Sequence, residues 1–215
     1  MSRNGTSGAR CLLLYLMVLL VLVAGCGRAP STSTPSAGTE PPPLSAGTPH
    51  GDGDIEGLIA QGQAAIEAGK LSEAERVFRE AVNLDPGSAD AQFGLGNVYV
   101  RQGQLAAAET AYRAAVNSNP NMSSAHLNLG VVYYKMEQLS KAEEEFNAVL
   151  RLTPSDAQAL YLLAAVRIQG RQYGEAEKLL NQAKLAQPHL AEVYYGLGAL
   201  YKLQGKTAEA IVEMK

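Results

Sequence analysis

From Ile55 onward, apolar residues recur at helical spacing in short runs separated by turns. Between Ala89 and Pro120, Phe93, Gly96 and Val100 fall on one stripe with Leu95 and Tyr99 beside it, Gly103 interrupts, and Ala108, Tyr112, Ala115 and Val116 form a second stripe. The pattern predicts two helices joined by a tight turn. It then repeats: "GKLSEAERVFREAVNLDP", "GQLAAAETAYRAAVNSNP" and "EQLSKAEEEFNAVLRLTP" close at Pro86, Pro120 and Pro154, and "QYGEAEKLLNQAKLAQP" closes at Pro188, a period of 34 residues. Each proline disfavours helix continuation through its missing N–H and its clash with the preceding turn. A period on this scale predicts an all-α solenoid, because one helix pair cannot shield its own apolar stripe and must stack on the next.

Small residues hold fixed places in this register. Ala74, Ala108, Ala142, Ala176 and Ala210 recur in the second helices, and Gly62, Gly96, Gly130 and Gly198 in the first, with Ala164 in the fourth unit. Both series allow close helix approach. The set resembles the tetratricopeptide repeat over residues 55–215, with four full units (55–88, 89–122, 123–156, 157–190) and a partial fifth (191–215). The resemblance implies a right-handed superhelical solenoid of antiparallel helix pairs. The chain departs from that family where an aromatic is usual on the first helix, which holds Leu58, Gln92, His126, Leu160 and Tyr194. The turn glycine is replaced by Glu137 in unit three. In unit four Gly170 comes one place early, which predicts a turn one residue longer. The last helix, over 208–215, is expected to expose Ile211 and Met214 and to fray or be covered by a partner.

Before the repeats, Arg3 and Arg10 precede a 15-residue apolar run from Cys11 to Gly25, short of the ~20 residues a spanning helix needs. Val23-Ala24-Gly25-Cys26 resembles the lipobox of bacterial lipoproteins. That resemblance implies a signal peptide over 1–25, acylation of Cys26 with palmitate-type chains, and a lipid-anchored location in the bacterial cell envelope. Gly27 leans toward the periplasmic face of the outer membrane in a Gram-negative source. Several acyl chains hold a protein at a membrane where one would exchange. Residues 27–54, rich in Pro, Ser, Thr and Gly, read as a tether of roughly 30 Å root-mean-square reach.

Composition narrows the function. With 47% hydrophobic residues, 18% charged residues and a formal net charge of -3, the chain lacks the basic clustering of a nucleic-acid binder. No catalytic constellation emerges: His50 lies in the tether, and His126 and His189 read as structural or surface histidines. Asp52, Asp54, Glu56 and Gly57 match four places of a calcium loop, but Gln63 stands where a bidentate Glu is needed. Gly51, Gly53 and Gly57 are too loosely spaced for a dinucleotide loop. The run Glu143-Glu144-Glu145 reads as a solvated face. No metal, cofactor or enzymatic activity is expected.

The concave face is the candidate site. In the resembled family the first helices line a groove that binds a peptide or helix, and the matching positions here include Ile59, Gln63, Phe93, Asn97, Val100, Leu127, Val131, Tyr134, Tyr161, Ile168 and Tyr195, with Asn128 beside them. Asn97 and Asn128 occupy the two asparagine places of a carboxylate-gripping version, while Phe93, Gln158 and Leu162 stand where its cations belong. Two amides alone compensate a desolvated carboxylate weakly. The asparagines therefore read either as backbone contacts for a peptide or as groove solvation, and the aromatics either as packing or as binding surface. The expectation is a membrane-anchored, non-enzymatic adaptor or scaffold for another envelope protein. The alternative is an accessory or substrate-presenting subunit of a cell-wall or envelope enzyme.

Overall fold

A computed structural model describes residues 52–213. The signal, Cys26 and tether readings up to Gly51 lie outside these residues. Among the described residues ten helices follow one another: α1 (Asp52–Glu67), α2 (Leu71–Leu84), α3 (Ala89–Arg101), α4 (Leu105–Ser118), α5 (Ser123–Lys135), α6 (Leu139–Leu152), α7 (Ala157–Gln169), α8 (Tyr173–Ala186), α9 (Ala191–Leu203) and α10 (Thr207–Glu213). Each odd-numbered helix pairs with the helix after it, and α2, α4, α6 and α8 each pack on the first helix of the next unit. The result is an all-α solenoid of antiparallel helix pairs. The segment that resembled a calcium loop is helical from Asp52, so these residues open α1 rather than form a loop.

One large side chain per unit sets the spacing. Phe78, Tyr112, Phe146 and Leu180 stand 34 residues apart and are fully buried. A Cβ on Gly62 would lie 2.7 Å from the Phe78 ring, and one on Gly94 only 2.1 Å from it. Gly96 meets Tyr112 and Gly130 meets Phe146 in the same way, at 2.5 Å each. Each ring thus fills a hole that glycines of its own first helix, and in places of the next, leave open. Burying such a side chain contributes about 2–3 kcal/mol per unit. The five register alanines are buried as expected.

The turns correct one expectation. Gly69, Gly103 and Gly205 adopt φ of 72°, 75° and 77°, and Glu137 and Arg171 take the same left-handed place at 59° and 61°. Unit four is therefore not lengthened: α7 ends at Gln169 and α8 starts at Tyr173, the spacing seen between Lys135 and Leu139. The closing bond Gln172 N–H to Arg167 O, 2.8 Å, matches Gln104 to Tyr99 and Gln138 to Tyr133. The hydrogen-bonded frame of the turn overrides the local preference for glycine.

Candidate functional site

The first helices bring the groove positions together unevenly. Ile59, Phe93, Asn97, Val100, Leu127 and Asn128 are half-buried, and Gln63 is exposed. Val131, Tyr134, Tyr161 and Ile168 are buried and serve as packing residues here. The cause is α7, where ten residues from Ala157 to Ile168 are buried and apolar ones lie on every side. Gly196 lets α9 close on Tyr161: a Cβ there would sit 3.2 Å from the Tyr161 ring. Tyr195, farther on, is 53% exposed. The accessible apolar stripe thus lies on α1, α3 and α5.

Within that stripe the two asparagines have a specific task. The Tyr112 hydroxyl donates to Asn97 Oδ1 at 2.7 Å, and Asn128 Nδ2 donates to the same oxygen at 3.0 Å and approaches the hydroxyl at 3.4 Å. Units one and three carry Phe at this register; unit two carries Tyr, and the amides satisfy its buried O–H. Burial pushes the Tyr112 phenol above its ordinary value, while Asn128 and the charge of Arg101 act the other way. The Phe93 ring lies 5.7 Å from that of Tyr112, tilted by 47°. The cluster consumes Asn97 Oδ1 and one Asn128 donor. It leaves both N–H donors of Asn97 Nδ2 and the acceptor Asn128 Oδ1.

Charges elsewhere are largely tied into the scaffold. Glu75, Glu109, Glu143 and Glu177 recur every 34 residues on the second helices, and each bonds across to the next unit. Gln102 Nε2 reaches Glu75 at 2.9 Å, the Tyr133 hydroxyl reaches Glu109 at 3.3 Å, Arg167 pairs with Glu143, and the Tyr201 hydroxyl reaches Glu177 at 3.1 Å. This clasp was missed from sequence, although its glutamates repeat in register. It also revises the acidic run. Glu143 and Glu145 are committed to Arg167 and His126, and only Glu144 is exposed. His126 is buried with Nδ1 2.6 Å from Glu145 Oε2 and Nε2 3.0 Å from the Pro120 carbonyl oxygen, while His189 is exposed. His126 thus ties a turn to α6. Lys135, at the end of α5, is half-buried, and burial holds its ammonium below the usual lysine value. Among the described residues no group of three or more His, Cys, Asp or Glu is placed to hold a metal ion.

Comparison with known proteins agrees with this architecture. A solved structure of MamA from Desulfovibrio magneticus RS-1 superposes with a TM-score of 0.68 at 21% identity, covering 76% of this chain and 92% of that one. YrrB, described as a TPR protein with an unusual peptide-binding site, gives 0.62 at 22% identity, covering 74% and 82%. TTC0263, a thermophilic TPR protein of Thermus thermophilus, gives 0.62 at 19%, covering 74% and 87%. At these identities the likeness establishes the fold. A search of curated proteins found no matching sequence. The family model for the cilia and flagella-associated protein 70 C-terminal domain matches residues 39–214, and the chain, a tetratricopeptide-repeat solenoid, belongs to that family.

Proposed function

We propose that the protein is a non-enzymatic adaptor, held at a membrane by an acylated Cys26, that docks a peptide segment of another envelope protein across α1, α3 and α5. The observation that carries this reading is the half-buried stripe of Ile59, Phe93, Val100 and Leu127 around the paired amides of Asn97 and Asn128. Apolar side chains of a peptide gain burial on such a stripe, and the remaining N–H groups of Asn97 and carbonyl oxygen of Asn128 can pair with the acceptor and donor of a peptide group. The peptide-binding site named for YrrB, a protein of the same fold, supports the reading. Anchoring would confine the groove to a thin layer and raise the effective concentration of envelope partners. Among the described residues no helix is long and apolar enough to cross a membrane.

A photo-crosslinking residue in place of Leu127, compared with the same residue in place of the outward-facing Arg113, tests the groove. A discrete adduct from the first and none from the second is expected; equal labelling from both positions overturns groove docking. For the anchor, the Cys26→Ser variant is expected to lose all incorporation of labelled fatty acid, and retained label overturns the lipid reading.

A further inference from the structure

We propose that the groove is selective for an extended peptide bearing an acidic side chain, with Lys135 receiving the carboxylate and the Asn97–Asn128 pair holding the peptide backbone. The inference rests on the groove reading above and adds the chemistry of its ligand. Asn128 and Lys135 are two helical turns apart on one side of α5, a separation of about 10 Å, the span of about three residues of extended chain. Asn97 and Arg101 lie one turn apart on one side of α3, and the charge of Arg101 acts on the Tyr112 hydroxyl that both amides contact. Arg101 and Lys135 stand in the last turns of their helices.

Lys135 is the side chain that asks for a ligand. Arg167, in the last turn of the following first helix, is held by Glu143 and by Glu175 at 3.1 Å. No ion pair or hydrogen bond within the described residues involves the Lys135 ammonium, although its side chain is half-buried. An ammonium that has shed part of its water without gaining an anion is stabilised when a carboxylate arrives. The charge count fits one acid rather than a polyanion, since Phe93, Val100 and Leu127 flank the site and the chain as a whole is negative at -3. The cations at the sequence places of the family's carboxylate grip are missing, and the structure supplies this one from a different register position.

The test uses the full chain in detergent micelles and a random heptapeptide library displayed through its C-terminus, so that any carboxylate selected is a side chain. Recovered peptides are expected to share an Asp or Glu about three residues from an apolar residue. A synthetic copy should bind about tenfold more weakly to Lys135→Gln, and its own Glu→Gln version should lose a similar factor against the wild type and almost nothing against Lys135→Gln. Peptides that are lost on Leu127→Asp yet show no acidic preference would overturn the inference and leave the groove reading standing. A selection that yields no binder, or binders indifferent to both Leu127→Asp and Lys135→Gln, overturns the two together.

Discussion

If the asparagines of the groove are fixed by Tyr112, removing one of them must cost more when the tyrosine is present than when it is not. Tyr112 is 1% exposed, and its hydroxyl has one good acceptor, Asn97 Oδ1 at 2.7 Å; the other neighbour, Asn128 Nδ2, is itself a donor. Asn97→Ala therefore strands a buried O–H donor, at a cost of about 1–3 kcal/mol. Tyr112→Phe removes the donor altogether and keeps a ring already accommodated as Phe78 and Phe146 in units one and three, so it costs about 1 kcal/mol or less. In the Tyr112→Phe background, Asn97→Ala should cost no more than about 0.5 kcal/mol, as at an ordinary partly exposed site. The cycle thus predicts a coupling of about 0.5–3 kcal/mol. Urea titrations followed by far-ultraviolet circular dichroism measure it, provided the slopes of the four proteins agree. Equal costs for Asn97→Ala in the two backgrounds would refute the cluster and return Asn97 to ordinary groove solvation.

Other perturbations read different parts of the structure. Glu137→Gly and Arg171→Gly relieve a left-handed backbone at φ of 59° and 61° and should each raise stability by up to about 1 kcal/mol in the same titration. Gly94→Ala drives a Cβ to 2.1 Å from the Phe78 ring and should cost about 1–3 kcal/mol, whereas Gly57→Ala, which meets nothing within 4 Å, should gain up to about 1 kcal/mol. Burial, then Glu109, pushes the Tyr133 phenol up to about 12, and burial raises Tyr112 and Tyr161 in the same direction. The unfolded chain ionises these phenols near the ordinary tyrosine value of about 10 and so releases protons first. This contribution to stability is complete below about pH 10, and the share of Tyr133 is lost as pH rises through about 12. Phenolate absorbance of the folded protein should lag that of the urea-unfolded protein over that range. In α10, with Ile211 52% and Val212 70% exposed, amide exchange should be faster than in α3 to α6.

Tyr161 and Tyr195 show where reading from sequence stops. They are the same residue at the same register position in successive units, yet one is 2% exposed and the other 53%. Periodicity identifies the side of the helix they share. It does not measure the residual area, which depends on how closely the next first helix approaches, and Gly196 contributes to that approach at Tyr161. The helix pairs and the register alanines and glycines were legible because each follows from spacing within about one repeat. Gly94 and Gly196 were not, since their partners Phe78 and Leu180 lie in the preceding unit and only the superhelical curvature brings them together. The same distinction applies to the turns. Glu137 and Arg171 violate the glycine preference locally, and only the repeated hydrogen-bond frame shows that the conformation is retained.

The amide pair joins the core to the groove. A phenylalanine at 112 would fill the same hole, so the hydroxyl of Tyr112 is dispensable for packing and instead fixes which atoms of Asn97 and Asn128 face inward. With Asn97 Oδ1 turned to the hydroxyl, Nδ2 must point away; with Asn128 Nδ2 turned to Asn97, its oxygen is presented. A freely rotating pair would lose side-chain entropy on gripping a peptide, whereas this pair has already lost it on folding. The same substitution, Tyr112→Phe, costs about 1 kcal/mol or less, yet it removes the hydroxyl's hold on both amides, leaves only the bond between them, and should weaken peptide docking. Stability and recognition then separate at one oxygen atom, which is the outcome expected if unit two departs from its neighbours in order to build a site.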